Sequence, residues 1–355
     1  MYGDYYEWVL RERVSKPVFE GDIYGGDVYV DYLRQLPPFI RYLYSSCIMN
    51  ADGANKFNAA NLSLWPIHIT LNKIPPAARL KNVIPIMLWA ARGKPDMSAY
   101  LEIYVDFMNH LCDRGIQCVI KGEERLLRLF NVITSVDTIA RAPMSATKQC
   151  NAYHGCDWRE HPGLWLEGCV RYFHNVDGYQ GRTRESTLAY AEMAMRLGKP
   201  YRGVTSASPL LYLYKFFGSS PEYIHFHSFG GVKQILGYIS KSLTEAQLEY
   251  VDQLIHRIRV PHQCMRLARK LKKISHWKAK EYENFTLYYN LPIFRSLGLS
   301  EGVPKHCSLL VSCLHISISS KITSDNIRQL RQMSHEFVKL TEELYSIAAM
   351  TSNIH

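Results

Sequence analysis

Two stretches near the start of the chain have the pattern of β-strands. Ser46–Asp52 carries the apolar run Cys47-Ile48-Met49 and ends on a carboxylate and a turn, Asp52-Gly53. Ser63–Asn72 follows, with aromatic and β-branched residues returning at close spacing through Ile74. Val83–Ala90 is a third strand candidate. From Met97 the period changes: Met97, Tyr100, Leu101, Tyr104, Val105, Met108 and Leu111 fall on one face of a helix over Met97–Asp113, with Pro95-Asp96 as its start signal. Gln117–Lys121 and Leu126–Val136 again read as strands, the second delivering Asp137, and a short helix is expected from about Arg141 to Gln149.

The remainder is different in character. Ser240–Val260 and Ser324–Ala349 have amphipathic helical spacing with Ser or Thr near their starts. Tyr282–Leu297 is aromatic enough to be a buried helix. The first 45 residues are rich in Tyr, with Gly25-Gly26 and Pro37-Pro38, and read as irregular lead-in. These patterns predict an α/β chain in four parts: lead-in 1–45, an α/β core 46–150, a connector 151–200, and a mainly helical region 201–355.

A chain of 355 residues can bury a large core, and 47% apolar with 21% charged residues is ordinary for a globular protein. No run approaches the roughly 18 apolar residues of a membrane span. Nine irregularly spaced cysteines do not form a disulfide framework and point to a reduced intracellular compartment. The net charge of +10 favours an anionic partner. It is concentrated between Ile255 and Lys280, where Arg257, Arg259, Arg266, Arg269, Lys270, Lys272, Lys273, Lys278 and Lys280 occur without one carboxylate. Such a stretch suits DNA phosphates, whose neutralisation releases counterions, although a solvated helix face has the same composition.

Three strands, a helix and a further strand match the first half of an RNase H-like fold. In that arrangement Asp52 and Asp137 would close neighbouring strands and could bridge Mg²⁺ or Mn²⁺, which accept carboxylate, water and phosphate oxygen. Each has a plain alternative: Asp52 as a turn residue, Asp137 as a helix N-cap. Glu281 is a candidate third acid, or an exposed residue offsetting the lysines around it. Cys150, Cys156, Asp157 and His161 are a sparse soft-metal set, equally readable as free or buried thiols and a core histidine. His225 and His227 alternate as on a strand.

Taken in order, these segments resemble the transposases of CACTA-type (En/Spm-like) DNA transposons and their relatives in animal genomes. The likeness begins at Asn50-Ala51-Asp52-Gly53 and Leu64-Trp65-Pro66-Ile67, and continues through Gly93-Lys94-Pro95-Asp96-Met97 and Val136-Asp137-Thr138-Ile139-Ala140-Arg141-Ala142-Pro143. It extends over Tyr153-His154-Gly155-Cys156-Asp157-Trp158, Glu222-Tyr223-Ile224-His225, His276-Trp277-Lys278-Ala279-Lys280-Glu281 and Met350-Thr351-Ser352-Asn353-Ile354-His355.

The resemblance implies an RNase H-like DDE/D core that cuts and joins transposon ends with Mg²⁺ or Mn²⁺, Asp52 and Asp137 being its first two acids. It implies a nuclear protein with DNA as partner, no small-molecule substrate, no membrane, and an assembly of at least two copies to synapse two ends. It also implies a zinc site, of which Cys156 and His355 match two of four ligands. Arg159 stands where the family has its second cysteine, and Glu222 where it usually has Asp. The family's final acid falls beyond the position of His355, so the expected catalytic set is incomplete unless Glu281 completes it. The rival expectation is a non-catalytic remnant that binds DNA or protein.

Overall fold

The computed structural model describes residues 44–57, 62–172, 178–214, 218–262, 264–319 and 321–354, with Ile23, Gly26, Tyr29 and Arg34 ahead of them. The chain divides into two compact units, residues 1–148 with 182–221 and residues 149–181 with 222–355.

The first unit is built on a mixed sheet of seven strands among the described residues: β1 (Tyr44–Ala51), β2 (Ala54–Phe57), β3 (Leu62–Leu71), β4 (Val83–Arg92), β5 (Ile116–Ile120), β6 (Glu123–Val136) and β9 (Ser219–Pro221). Strands β7 (Leu164–Leu166) and β8 (Cys169–Arg171) form a small separate hairpin in the second unit. Strand β3 shows why the sequence folds this way. Ser63, Trp65, Ile67, Ile69 and Leu71 are buried and the residues between them are not, which is the period of a pleated strand with one face on the core. It pairs antiparallel with β1 (Met49 opposite Ile69) and with β4 (Trp65 opposite Trp89).

Strand β1 also pairs with β6, but in parallel, Met49 lying opposite Thr134. Strand β6 is long enough to take β5 along its first residues and, at its end, the short parallel strand β9, with Val136 opposite Pro221. The central order is therefore β4-β3-β1-β6-β9. Helix Met97–Asp113 covers the sheet. Asp96 caps it by accepting the Ser98 and Ala99 amides at 2.9 and 3.2 Å, and Tyr100, Leu101, Tyr104, Val105, Met108 and Leu111 are its buried face. These side chains meet Met49, Trp65, Ile67 and Ile69 in one apolar core.

The second unit is mainly helical and packs around Ile235, Leu236, Trp277, Tyr282, Phe285, Tyr289 and Phe294. Its segments are more broken than their periodicity suggests. The helix expected over Ser240–Val260, with Thr244 or Ser242 near its start, is Glu245–Arg257, begun by Thr244 through a reciprocal cap with Gln247; Lys233–Ser242 is a separate helix before it. The aromatic Tyr282–Leu297 run passes through a π-helical turn, Phe285–Tyr289, between two short α-helices. Helix Ser324–Tyr345 ends where Ser346 turns left-handed (φ 67°), short of Ala349. Helix Gly302–Ser317 and strand β9 had no predicted counterpart. Residues 182–221, divided by the sequence pattern between connector and helical region, belong with the sheet. Among the described residues no helix is long and apolar enough to cross a membrane.

Candidate functional site

The parallel pairing of β1 with β6 sets the site. The parallel register ends with Met49 opposite Thr134, and the carboxylate follows three residues later in each chain segment: Asp52 and Asp137. Asn50 Nδ2 donates to Ser135 O at 2.6 Å and ties the two strand ends together. Neighbouring strands lie about 4.8 Å apart, so side chains leaving matched positions can share one ligand.

Asp137 has a structural duty of its own. It is the N-cap of helix Thr138–Ser145, its Oδ1 accepting the Ala140 amide at 2.6 Å. Capping uses one oxygen and leaves Oδ2 for another partner. The helix begins directly at Thr138, earlier than the expected Arg141, because this cap is used.

Asp52 and Asp137 line a common cavity of about 200 Å³ with Ser63, Trp65, Lys94 and Ile139. Trp65 is its apolar wall. The indole is buried, and its Nε1 donates to Ser63 Oγ at 3.0 Å. Gly53 is a glycine for a steric reason, since a Cβ there would lie 2.5 Å from the indole ring. Lys94 adds a cation to the lining of the same cavity. The sequence reading assigned it no role; only the cavity distinguishes it from other lysines.

Glu281 lies in the second unit and is fully engaged there. Its Oε1 accepts Arg269 Nε at 2.5 Å, and its Oε2 accepts Arg269 Nη2 at 2.9 Å and the Lys278 amide at 2.8 Å. Burial raises the carboxyl's pKa, but the Arg269 and Lys278 hydrogen bonds outweigh it and hold the group below the ordinary glutamate value. This buried, paired group differs from the exposed residue that the sequence also allowed. Among the described residues, no group of three or more His, Cys, Asp or Glu side chains converges to hold a metal ion.

All nine cations of the basic stretch are exposed. Arg269 pairs with Glu281, Lys272 with Glu245 and Glu249, and Lys280 with Glu283. Among the described residues Arg257, Arg259, Arg266, Lys270, Lys273 and Lys278 form no ion pair. The stretch is not one helix. The chain leaves helix at Arg257 and re-enters only as a 3₁₀ segment, Leu271–His276, where buried Asp252 accepts the Leu271 amide at 2.6 Å.

Cys156 is buried beside Val170 and Tyr172, and its sulfur accepts the amide of Arg159 at 3.4 Å. Cys150 is half-buried. His161 is wholly buried, accepting the Gly163 amide on Nδ1 at 2.8 Å, and burial together with nearby His154 pushes its pKa down to about 4. His355 lies outside the described residues. His225 and His227 are not on a strand but in a π-helical segment, Ile224–Val232. His225 pairs with Glu222 at 2.8 Å, while His227 stacks on Tyr223.

Comparison with family models and with curated proteins finds no match to this chain.

Proposed function

We propose that the chain is a transposase-derived protein whose RNase H-like core acts on DNA phosphodiesters, cutting and joining strands with a divalent ion. The observation that carries this reading is the pair Asp52 and Asp137, each three residues beyond the matched pair Met49 and Thr134 on adjacent parallel strands, and both lining one cavity. The strand order β4-β3-β1-β6-β9, with antiparallel pairs first and parallel pairs after, supports the RNase H-like assignment.

Two carboxylates are a hard oxygen donor set of the kind that takes Mg²⁺ or Mn²⁺, the remaining positions being filled by water and substrate phosphate. When bound, such an ion polarises the phosphate and makes an attacking water or 3′-hydroxyl a better nucleophile. Asp52 and Asp137 hold the ion, and Trp65 closes one wall of the cavity against bulk solvent. The exposed Arg257–Lys280 cations supply salt-sensitive affinity for the DNA backbone.

A second reading, a non-catalytic DNA-binding remnant of the same ancestry, is favoured by one observation. Both oxygens of Glu281 are committed to Arg269 and Lys278, and among the described residues no third acid joins the pair. The zinc site, assembly into dimers and nuclear location belong to the same proposal.

The test is nicking of supercoiled plasmid in Mn²⁺ or Mg²⁺, with Asp52→Asn and Asp137→Asn alongside. Metal-dependent nicking that both substitutions abolish is the expected result. Nicking that survives both would sink the active-site assignment. DNA binding without nicking selects the second reading.

A further inference from the structure

The basic stretch carries two side chains that phosphate binding does not use. From Ile255 to Lys280 there is no carboxylate, yet Met265 and Leu267 stand out into solvent among the cations, 95% and 54% exposed. A single exposed apolar residue is ordinary on a protein surface. The backbone around Met265 is not, because it is fastened to the interior on both sides.

Just before Met265, the Cys264 amide donates to Pro261 O at 3.0 Å and closes a turn. Just after it, Arg266 O accepts Nδ2 of buried Asn284 at 2.6 Å. Ala268 is buried, Lys270 O accepts Nε1 of buried Trp277 at 3.3 Å, and the Leu271 amide donates to Asp252 at 2.6 Å. The segment has neither helix nor strand among its described residues, but these bonds pin it and hold Met265 outward. A pinned tip has little backbone freedom left to lose when it meets a partner.

Arg259, Arg266 and Lys270 flank Met265 in sequence, exposed and without an ion pair among the described residues. The partner must therefore offer negative charge around a small apolar slot. Met265 and Leu267 are too narrow a surface for the core of a protein interface or the apolar face of a membrane-bound helix. They suit the gap between two stacked base pairs, which is apolar inside and bordered by phosphates.

We propose that Met265 is a wedge that enters duplex DNA between base pairs and kinks it, while the flanking cations hold the phosphates on either side. This deepens the proposed function and rests on its DNA-binding reading. An unbranched thioether side chain adapts its shape to such a gap, and pyrimidine–purine steps such as TA open most readily.

The experiment compares the wild-type chain with Met265→Ala and Met265→Leu. It measures affinity for a short duplex with a central TA step, the salt dependence of that affinity, and energy transfer between dyes on the duplex ends, which reports bending. Vesicles of phosphatidylserine serve as the alternative anionic surface. The Met265 side chain projects into solvent, so its replacement leaves the core untouched, and circular dichroism of each variant checks this.

The wild type should bend the duplex. Met265→Ala should bind it several-fold more weakly, leave it straight and keep a salt-dependent affinity, because the cations remain. Met265→Leu should bend it as the wild type does. A bound duplex left straight by the wild type, or bent equally by Met265→Ala, would overturn the wedge and leave the proposed function standing. Loss of vesicle binding in Met265→Ala with duplex binding unchanged would overturn it in favour of a membrane surface. No duplex binding by the wild type would overturn both the wedge and the reading beneath it.

Discussion

Asp137 gives the sharpest dissection, because its structural and chemical duties can be separated by one atom. Replacing it with Ala removes the oxygen that takes the Ala140 amide at 2.6 Å, together with the charge at the N-terminus of helix Thr138–Ser145. Loss of an Asp N-cap costs about 1 kcal/mol, and loss of the favourable charge at the helix start up to about 0.3–1 kcal/mol more. Asp137→Asn keeps an acceptor oxygen and loses only the charge, so its cost should stay below about 1 kcal/mol. The assay pairs scanning calorimetry with plasmid nicking. For a unit of this size, about 1 kcal/mol moves the melting midpoint by about 2–4 °C. Asp137→Ala should melt lower by that amount or more, Asp137→Asn by distinctly less, and both should be inactive. Equal destabilisation by the two variants would refute the capping geometry. Activity retained in Asp137→Asn would refute the metal-ligand role without touching the cap.

Two further outcomes follow from the second unit. His306 is buried between helices Gly302–Ser317 and Ser324–Tyr345, its ring stacked 4.3 Å from that of Phe337. Thr341 Oγ1 donates to Phe337 O, so His306 Nε2 donates to Thr341 at 2.8 Å, and burial pushes the imidazole pKa down to about 4. A base with a depressed folded pKa lends its full stability above its unfolded value, near 6.5, and loses it as pH falls toward 4. Hydrogen exchange of Ser324–Tyr345 amides should therefore report about 2 kcal/mol of lost protection between pH 7 and 4.5 that His306→Phe does not lose; parallel losses in both proteins would count against it. Glu281→Gln should lower the melting midpoint, because Arg269 and the Lys278 amide lose a charged acceptor. Its Mn²⁺ affinity should equal the wild type's, and a lost Mn²⁺ site would restore Glu281 as a metal ligand.

Much of the fold is written locally. The strict alternation of Ser63, Trp65, Ile67, Ile69 and Leu71 fixes β3 and its inner face. The helical spacing from Tyr100 to Leu111, capped by Asp96, fixes the helix on the sheet. That Asp52 and Asp137 each follow a strand is visible in the same way. Periodicity is a property of a few consecutive residues, and burial of one face is enough to enforce it. What it could not supply was partnership. Parallel pairing of β1 with β6 joins residues 85 apart and turns two separate strand ends into one site. Strand β9, only Ser219-Ser220-Pro221, carries no alternation and is a strand because β6 offers it an edge. The same holds for side chains. Nothing near Lys94 in sequence separates it from a surface lysine, and nothing near Glu281 announces Arg269 as its partner. The sequence by itself determined which residues are strand, helix and inward-facing. The tertiary structure alone decided which charges meet, because pairing is chosen by the burial of the whole sheet and core and not by any short run of residues.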